Sequence, residues 1–180
     1  YYGQQIHEIT EMLVGDMGQY AHGNQPVQHA IYLYNWLGKP WKTQKRVREV
    51  MDKLYSSAPD GLCGDEDNGQ TSAWYVFSAM GFYPVAPGTG QYAIGSPFFK
   101  NVKLHLQNGN IFEMNVPNYS KENVYIHKIS KNKSTHTKNY ITFKDLMDGA
   151  SFSLEMSNQP NTKLRTRKES RPYSMSQENK

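Results

Sequence analysis

Apolar residues recur at every third or fourth position along the first 84 residues, which is the spacing of one face of an α-helix. The pattern predicts four helices, at about 6–17, 27–37, 43–57 and from just after Asn68 to Gly81. In the fourth helix the residues predicted to point inward are Ala73, Val76, Phe77 and Met80. Trp74 and Tyr75 widen this apolar face, so the helix is expected to be buried on nearly all sides.

Beyond PVAPGTG, residues 84–90, the period changes to two, as in half-buried β-strands. Strands are predicted at about 102–106, 112–116, 124–129 and 152–156. Asn108-Gly109 predicts a type I′ turn, and TFKDLMDG predicts one short capped helix closed by Gly149. Helices followed by a small antiparallel β region indicate the α+β fold class.

The basic character of the chain is confined to its end. The 180 residues carry a net charge of +4, and residues 158–180 contain six basic and two acidic residues. This polar segment is expected to be a disordered tail, and with Tyr173 as its one aromatic residue it lacks the composition of a nucleic-acid-binding arm. We therefore divide the chain into helices at 1–84, an antiparallel β segment at 85–157 and a tail at 158–180.

Cysteine content, hydropathy and the N-terminal residues limit which covalent links, metal sites and membrane segments the chain could contain. Cys63 is the single cysteine, which excludes an intramolecular disulfide and a multi-cysteine metal site. No apolar run approaches the roughly 20 residues that span a membrane. The chain opens on Tyr1 without the pattern of a signal peptide. Four helices with few polar faces would also expose much apolar surface if they stood alone. We therefore expect further helices upstream in the natural protein.

Three polar clusters interrupt the helical half, and the first is HEITE. His7 and Glu11 share a helix face, with Glu8 beside them. A zinc peptidase motif requires a second histidine where Glu11 stands, which excludes that activity. On residue types alone, an exposed polar face is the favoured interpretation of the cluster.

The second cluster is HGNQPVQH, residues 22–29. Asn24 and Gln25 offer side-chain carbonyl oxygens of the kind that calcium prefers, although capping of the next helix accounts for them as well. His22 and His29 are predicted to be packed or hydrogen-bonded histidines and not metal ligands.

The third cluster is GLCGDEDNGQTSAWYVF, residues 61–77, which places three acids against a buried helix. The spacing does not match an EF-hand. Asp67 or Asn68 is a candidate N-cap for the next helix. Asp65 and Asp67 would also point to one side of an extended turn, where two ionised carboxylates could orient and deprotonate a water molecule. Capping and catalysis remain open at this point.

These motifs together resemble glycoside hydrolase family 92. The resemblance covers about residues 5–157 and rests on residues 61–99, on GNQPVQHAIYLYNWLGKPWKTQ and on IHEITEM. It implies a calcium-dependent, exo-acting α-mannosidase that inverts anomeric configuration. It also implies that the helices are the last of an (α/α)6 catalytic barrel and that the β segment follows them.

The resemblance assigns the general base to Asp67, with Asp65 assisting. An inverting glycosidase also needs a carboxylic acid that protonates the leaving oxygen. In the family this glutamate lies upstream and has no match here, so the chain by itself is expected to be inactive or nearly so.

The resemblance further implies that His7 and Glu8 recognise an α-1,2-linked mannoside, and that Glu11, Asn24 and Gln25 bind Ca²⁺. The implied partners are a mannose-containing glycan and the upstream part of the same enzyme, with no nucleic acid or membrane partner, and the implied location is periplasmic or secreted. The alternative is a non-catalytic structural or carbohydrate-binding fragment in which the acids only cap a helix.

Overall fold

The structure is a computed structural model that describes residues 9, 12–13 and 15–178. Its two longer helices lie in the first half of the described chain and most of its strands in the second. Helix α1, Pro40–Leu54, begins with Pro40 in its first turn, where the missing N–H has no intrahelical partner to lose. This confirms the helix predicted at 43–57, with both ends displaced by about three residues. None of the helices in the described part of the chain is long and apolar enough to cross a membrane.

The helix predicted at 27–37 is wrong in type. Two 3₁₀ segments occupy this region, Gln25–Val27 and Ala30–Asn35. The tertiary environment favours the tighter winding, because the Thr43 hydroxyl donates to the Ile31 carbonyl at 3.1 Å and the buried Asn35 amide donates to the Ile94 carbonyl at 3.0 Å.

Helix α2, Gln70–Met80, ends at Gly81, whose φ of 105° ends the helix as predicted. Its buried face differs from the prediction, because Thr71, Trp74, Ser78 and Ala79 point inward and Val76 is 55% exposed. Trp74 is fully buried at the centre of this face. Of the residues predicted to point inward, Phe77 and Met80 are partly buried against the hydrophobic cores, whereas Ala73 and Val76 are exposed.

The eight strands form two sheets. The three-stranded sheet has the order β1-β2-β7 and the five-stranded sheet the order β3-β4-β8-β5-β6. Their bounds are β1 Phe82–Ala86, β2 Gln91–Ile94, β3 Asn101–His105, β4 Ile111–Asn115, β5 Tyr125–Lys131, β6 Ser134–Thr135, β7 Tyr140–Thr142 and β8 Ser151–Ser157. Helix α3, Phe143–Met147, carries the predicted capping box between Thr142 and Asp145.

Two features of the five-stranded sheet differ from the prediction. Strand β8 is antiparallel to β5 but parallel to β4, so the β region is not purely antiparallel. The β3–β4 turn is not type I′, because Gly109 has a positive φ whereas Asn108 does not. Instead, the Asn108 side chain accepts the Asn110 N–H at 3.0 Å and donates to the Met147 carbonyl at 2.9 Å.

The three-stranded sheet separates two hydrophobic cores. Phe82 and Ile94 are paired across β1 and β2 and face the core of the five-stranded sheet. Their neighbours Tyr83 and Ala93 face the other core, which is built on α1 and α2. Because successive strand residues point to opposite faces, the two strands serve both cores and fix the helices relative to the larger sheet.

The segment 158–178, expected to be disordered, follows a defined path across the protein. The Trp36 indole N–H donates to the Tyr173 carbonyl at 2.7 Å, and the Tyr173 N–H donates to Gln91 Oε1 at 2.8 Å. The Asn139 side chain donates to the Arg165 carbonyl at 2.8 Å. Backbone anchoring of this kind does not depend on apolar side chains, which explains why the polar composition of the segment suggested disorder.

Candidate functional site

The acidic turn, Asp65–Asp67, lies between α1 and α2 and has an unusual backbone. Asp67 and Asn68 adopt left-handed φ values of 46° and 57°, and Gly69 follows with 94°. Non-glycine residues pay a steric penalty of roughly 1 kcal/mol in this region, although Asp and Asn pay less than most. Two such residues in succession require contacts that hold the turn in place.

Glu66 provides one set of these contacts. Its carboxylate accepts the Gly69 N–H in a short hydrogen bond and the Ser72 N–H at 3.1 Å. The prediction that Asp67 or Asn68 caps α2 is therefore wrong, because the longer Glu66 side chain reaches the free N–H groups of the helix start. Hydrogen bonds from the Ser72 hydroxyl and N–H and from the Gly69 N–H hold the pKa of Glu66 below its ordinary value.

The other two acids of the turn are not used for capping. Asp65 and Asp67 are exposed, and neither carboxylate makes a hydrogen bond or ion pair with any described residue. The carboxylates are thus available to bind a ligand or a water molecule. His7 and Glu8, which the resemblance assigns to recognition of the mannoside, lie outside the described residues.

Two side chains donate hydrogen bonds to the backbone carbonyl of Asp65. Its carbonyl accepts Gln25 Nε2 at 2.6 Å and the Thr71 hydroxyl at 2.8 Å. Gln25 Nε2 also donates to Thr71 Oγ1 at 3.2 Å. The loop that contains Gln25 is therefore joined directly to the acidic turn.

Thr71 is the junction of this network. It is fully buried, and its hydroxyl also accepts Gln28 Nε2 at 3.1 Å. The same Gln28 nitrogen donates to the His22 carbonyl at 3.2 Å, and the Trp74 indole donates to the Gln28 carbonyl at 3.2 Å. Buried polar groups that satisfy one another in this way hold a single conformation.

His22 lies between the hydroxyl groups of two tyrosines, one of which connects it to Thr71. Its Nδ1 and Nε2 are each 2.7 Å from a hydroxyl, of Tyr20 and of Tyr55, and the Tyr55 hydroxyl also reaches the Thr71 carbonyl at 3.3 Å. The ring donates from one nitrogen and accepts at the other, and the Tyr20 hydroxyl also reaches the Gln28 carbonyl at 3.3 Å, so either tautomer of His22 is compatible with these contacts.

Burial of His22 lowers its pKa to about 3, so the ring is neutral at physiological pH. This confirms the prediction that His22 is a hydrogen-bonded, packed histidine. His29, for which the same was predicted, is exposed.

The residues expected to bind calcium are only partly within the described chain. Glu11 lies outside the described residues. Asn24 precedes the first 3₁₀ segment without capping it through its side chain, and Gln25 uses its amide nitrogen on the acidic turn, which leaves Oε1 without a described partner. In the part of the chain that the structure describes, no three His, Cys, Asp or Glu side chains converge as metal ligands would.

Sequence reasoning missed Thr71, Gln28 and Tyr55 as supports of the turn. Each is a common residue type on or beside a helix, and no spacing rule distinguishes them. The one usable signal is a polar residue at a position one turn before the fully buried Trp74, as Thr71 is.

Comparison with known proteins identifies the family. The sequence profile of the glycosyl hydrolase family 92 catalytic domain matches residues 2–158. The chain belongs to this family. Among solved structures, it is similar to the family 92 inverting mannosidase of Bacteroides thetaiotaomicron, with 56% identity and a TM-score of 0.85 over 97% of this chain. A family 92 α-mannosidase of the same organism in complex with mannoimidazole gives 42% identity and a TM-score of 0.86 over 89% of the chain.

A curated relative, an uncharacterized secreted glycosidase of Arthroderma benhamiae, is 30% identical over 137 residues, which are 74% of this chain. The chain spans only 18% of that relative and 24% and 21% of the two solved structures. The comparisons therefore support a mixed helix-and-sheet piece of a family 92 glycosidase.

Proposed function

We propose that this chain is part of an inverting, exo-acting α-mannosidase that removes terminal mannose from glycans, with preference for α-1,2 linkages. Support comes from the family and from relatives described as an inverting mannosidase and as a mannosidase bound to mannoimidazole. On this proposal α1 and α2 are among the last helices of an (α/α)6 catalytic barrel.

The observation that carries the proposal is the acidic turn. Asp67 is exposed in a left-handed conformation, its carboxylate has no described partner, and the neighbouring Glu66 takes over the capping role. A carboxylate kept free beside a rigidly held backbone is suited to act as a base.

In the proposed reaction Asp67 removes a proton from a water molecule. The water oxygen bonds to the anomeric carbon from the face opposite the glycosidic oxygen, and the bond to that oxygen breaks. A carboxylic acid upstream of this chain donates a proton to the departing oxygen. Asp65 assists Asp67 in orienting the water, and Gln25 and Thr71 fix the Asp65 backbone.

Calcium fits this site only in part. Asn24 and Gln25 provide neutral amide oxygens, which are suitable calcium ligands, but the described residues alone do not form a complete ligand set. We propose that these two oxygens and Glu11 contribute to a Ca²⁺ site whose other ligands come from elsewhere in the enzyme. When bound, the ion would hold sugar hydroxyl groups and favour ring distortion toward the transition state.

His7 and Glu8 are proposed to contact the sugar beyond the scissile bond and thereby set the α-1,2 preference. Because the chain corresponds to less than a quarter of its relatives and the acid is assigned upstream, the 180 residues alone are proposed to be inactive. A periplasmic or secreted location is proposed from the secreted relative.

The test is Asp67→Asn in the full-length protein, with Asp60→Asn, an exposed acid of the preceding turn, as the matched control. Loss of the base is expected to reduce kcat on an α-1,2-mannobioside by roughly 10²- to 10⁴-fold, whereas the control retains wild-type kcat. NMR of the fresh wild-type product is expected to show β-mannose first. Near-normal activity of Asp67→Asn would remove the base assignment, and α-mannose as the first product would contradict inversion.

A further inference from the structure

A pocket of about 450 Å³ lies between the β6–β7 connection and the C-terminal segment, and it shares no lining residue with the acidic turn. Thr135 and Thr137 form one side, and residues 163–167 form much of the other. Its size is within the range of small-molecule sites and is many times the roughly 30 Å³ that one water molecule occupies.

Arg165 forms part of the pocket wall and is unusual in three respects. The residue is only 7% exposed, and its backbone has a left-handed φ of 54°. Its guanidinium makes one hydrogen bond, from Nη1 to the Lys138 carbonyl at 3.1 Å. Nε and Nη2 are buried without a hydrogen-bond partner among the described residues, and no described carboxylate lies within ion-pair distance.

The charge of Arg165 persists despite its burial. Burial lowers the pKa of Arg165 to about 9, so the guanidinium is still protonated at pH 7. A buried charge without a partner is among the most costly arrangements in a protein, and it is normally compensated by a counter-ion. The described residues do not supply this counter-ion.

The other charged residues of the lining are mainly cationic. Lys163 and Arg167 are exposed at the pocket, and Glu169 is the one acidic residue among the lining residues. Three cationic side chains therefore oppose one carboxylate, and the hydroxyl groups of Thr135 and Thr137 add neutral hydrogen-bond donors.

We propose that this pocket binds an oxyanion, a phosphate or sulfate group that is either free or esterified to a sugar. Arg165 compensates the anion's charge from within the wall, Lys163 and Arg167 bind its oxygens at the rim, and the threonine hydroxyls donate to it. Charge-assisted hydrogen bonds to such groups are short and strong, which suits a rim with one planar guanidinium and one ammonium.

The test is isothermal titration calorimetry of the full-length protein at low ionic strength with four ligands: inorganic phosphate, inorganic sulfate, a hexose 6-phosphate and the unphosphorylated hexose. Saturable binding of one anion per chain is expected, with no binding of the neutral hexose. Tighter binding of the hexose phosphate than of inorganic phosphate identifies an esterified group as the natural ligand, and the opposite order identifies the free ion.

Two double variants distinguish anion binding in the pocket from attraction to the general surface charge. Lys163→Gln with Arg167→Gln removes two rim cations and is expected to weaken anion binding at least about fivefold. Lys133→Gln with Lys168→Gln removes two exposed cations that do not line the pocket and is expected to leave the affinity unchanged. Both pairs are at the surface, so folding is retained, and circular dichroism checks this.

Two outcomes overturn the proposal. Equal weakening by both variant pairs means that the anion responds to overall charge and not to this pocket. Absence of anion binding to the wild-type full-length protein means that another part of the protein, such as a carboxylate, compensates Arg165.

Discussion

Acidification is expected to destabilise the protein through His22. The ring is 1% exposed, and its two nitrogens lie between the hydroxyls of Tyr20 and Tyr55. Protonation would place a charge in the helical core and turn the ring nitrogen that accepts a hydrogen bond into a second donor. The ordinary pKa of 6.5 applies to the unfolded chain, and burial lowers the folded value to about 3.

The sign of the pH effect on stability follows from these two pKa values. Above pH 6.5 the ring is neutral in both states and the full stability is present. As the pH falls below 6.5 the unfolded chain takes up a proton that the folded protein does not, so the free energy of unfolding decreases until the pH reaches about 3. Between pH 8 and pH 5 the His22 contribution is a loss of about 2 kcal/mol, a large fraction of the roughly 5–15 kcal/mol that stabilises a typical domain.

The assay is urea unfolding at pH 8, 7, 6 and 5 for the wild type, for His22→Gln and for His127→Gln, which replaces an exposed histidine. His22→Gln is expected to be less stable at pH 8 and to lose about 2 kcal/mol less than the wild type on acidification. His127→Gln should follow the wild type. The pKa of His136 is also lowered, chiefly by burial, and this adds a parallel loss that all three proteins share.

Direct titration of the His22 ring by NMR provides the decisive measurement. If the folded protein gives a His22 pKa near 6.5, or if His22→Gln shows the same pH dependence as the wild type, the ring is not held neutral between the tyrosines and the reasoning is refuted.

Three further predictions concern the acidic turn and helix α2, which follows it. Thr71→Val removes the hydroxyl that joins Gln25, Gln28 and Asp65, and it is expected to lower the free energy of unfolding by about 1–3 kcal/mol and to lower kcat of the full-length protein. Thr43→Val, equally buried but remote from the turn, should affect stability alone. Equal effects of the two variants on kcat would contradict the link between Thr71 and the acidic turn. Because hydrogen bonds lower the pKa of Glu66, its stabilising contribution is present above about pH 4.5 and is lost as the pH falls below it, so Glu66→Gln should flatten thermal stability between about pH 5 and 3. Gly81→Ala places a Cβ 2.9 Å from Met114 Sδ and 3.1 Å from Pro97 Cβ, and it should lower the free energy of chemical unfolding by about 2–4 kcal/mol. Gly69→Ala, also at positive φ but in open space, should lower it by about 1 kcal/mol. Similar losses would mean that the positive φ alone, and not the close contacts of Gly81, determines the destabilisation.

Local signals predicted the main helices and strands well. Helix α2 ends at Gly81 as predicted, and the alternation along β3, β4 and β8 matches their buried faces. These elements were predictable because caps, stops and side-chain period act within a few residues.

The 3₁₀ segments and the C-terminal path depend on distant partners. Residues 30–35 wind tightly because Thr43 and Ile94 bind their polar groups, and segment 158–178 is held by Trp36, Gln91 and Asn139. A local pattern carries no information about bonds to residues that lie tens of positions away.

The candidate site was predictable in position but not in construction. The run of acids located the turn, yet the sequence did not reveal that Glu66 would cap the helix and leave the Asp65 and Asp67 carboxylates without a partner among the described residues. The backbone at Asp67 and Asn68 is left-handed, whereas the sequence interpretation assumed an extended turn. The roles of Asp65 and Asp67 in catalysis, and those of His7, Glu8 and Glu11, stay predictions.

The position of β8 determines the order in which the protein can be assembled on the ribosome. This strand lies between β4 and β5, so neither earlier strand has its inner neighbour until residues 151–157 have been synthesised and released from the exit tunnel. Until then, the hairpin of β3 and β4 and the strand β5 expose backbone groups that could pair with other chains. A premature stop codon before Ser151 would therefore yield an aggregation-prone product, even though it would retain every residue of the acidic turn.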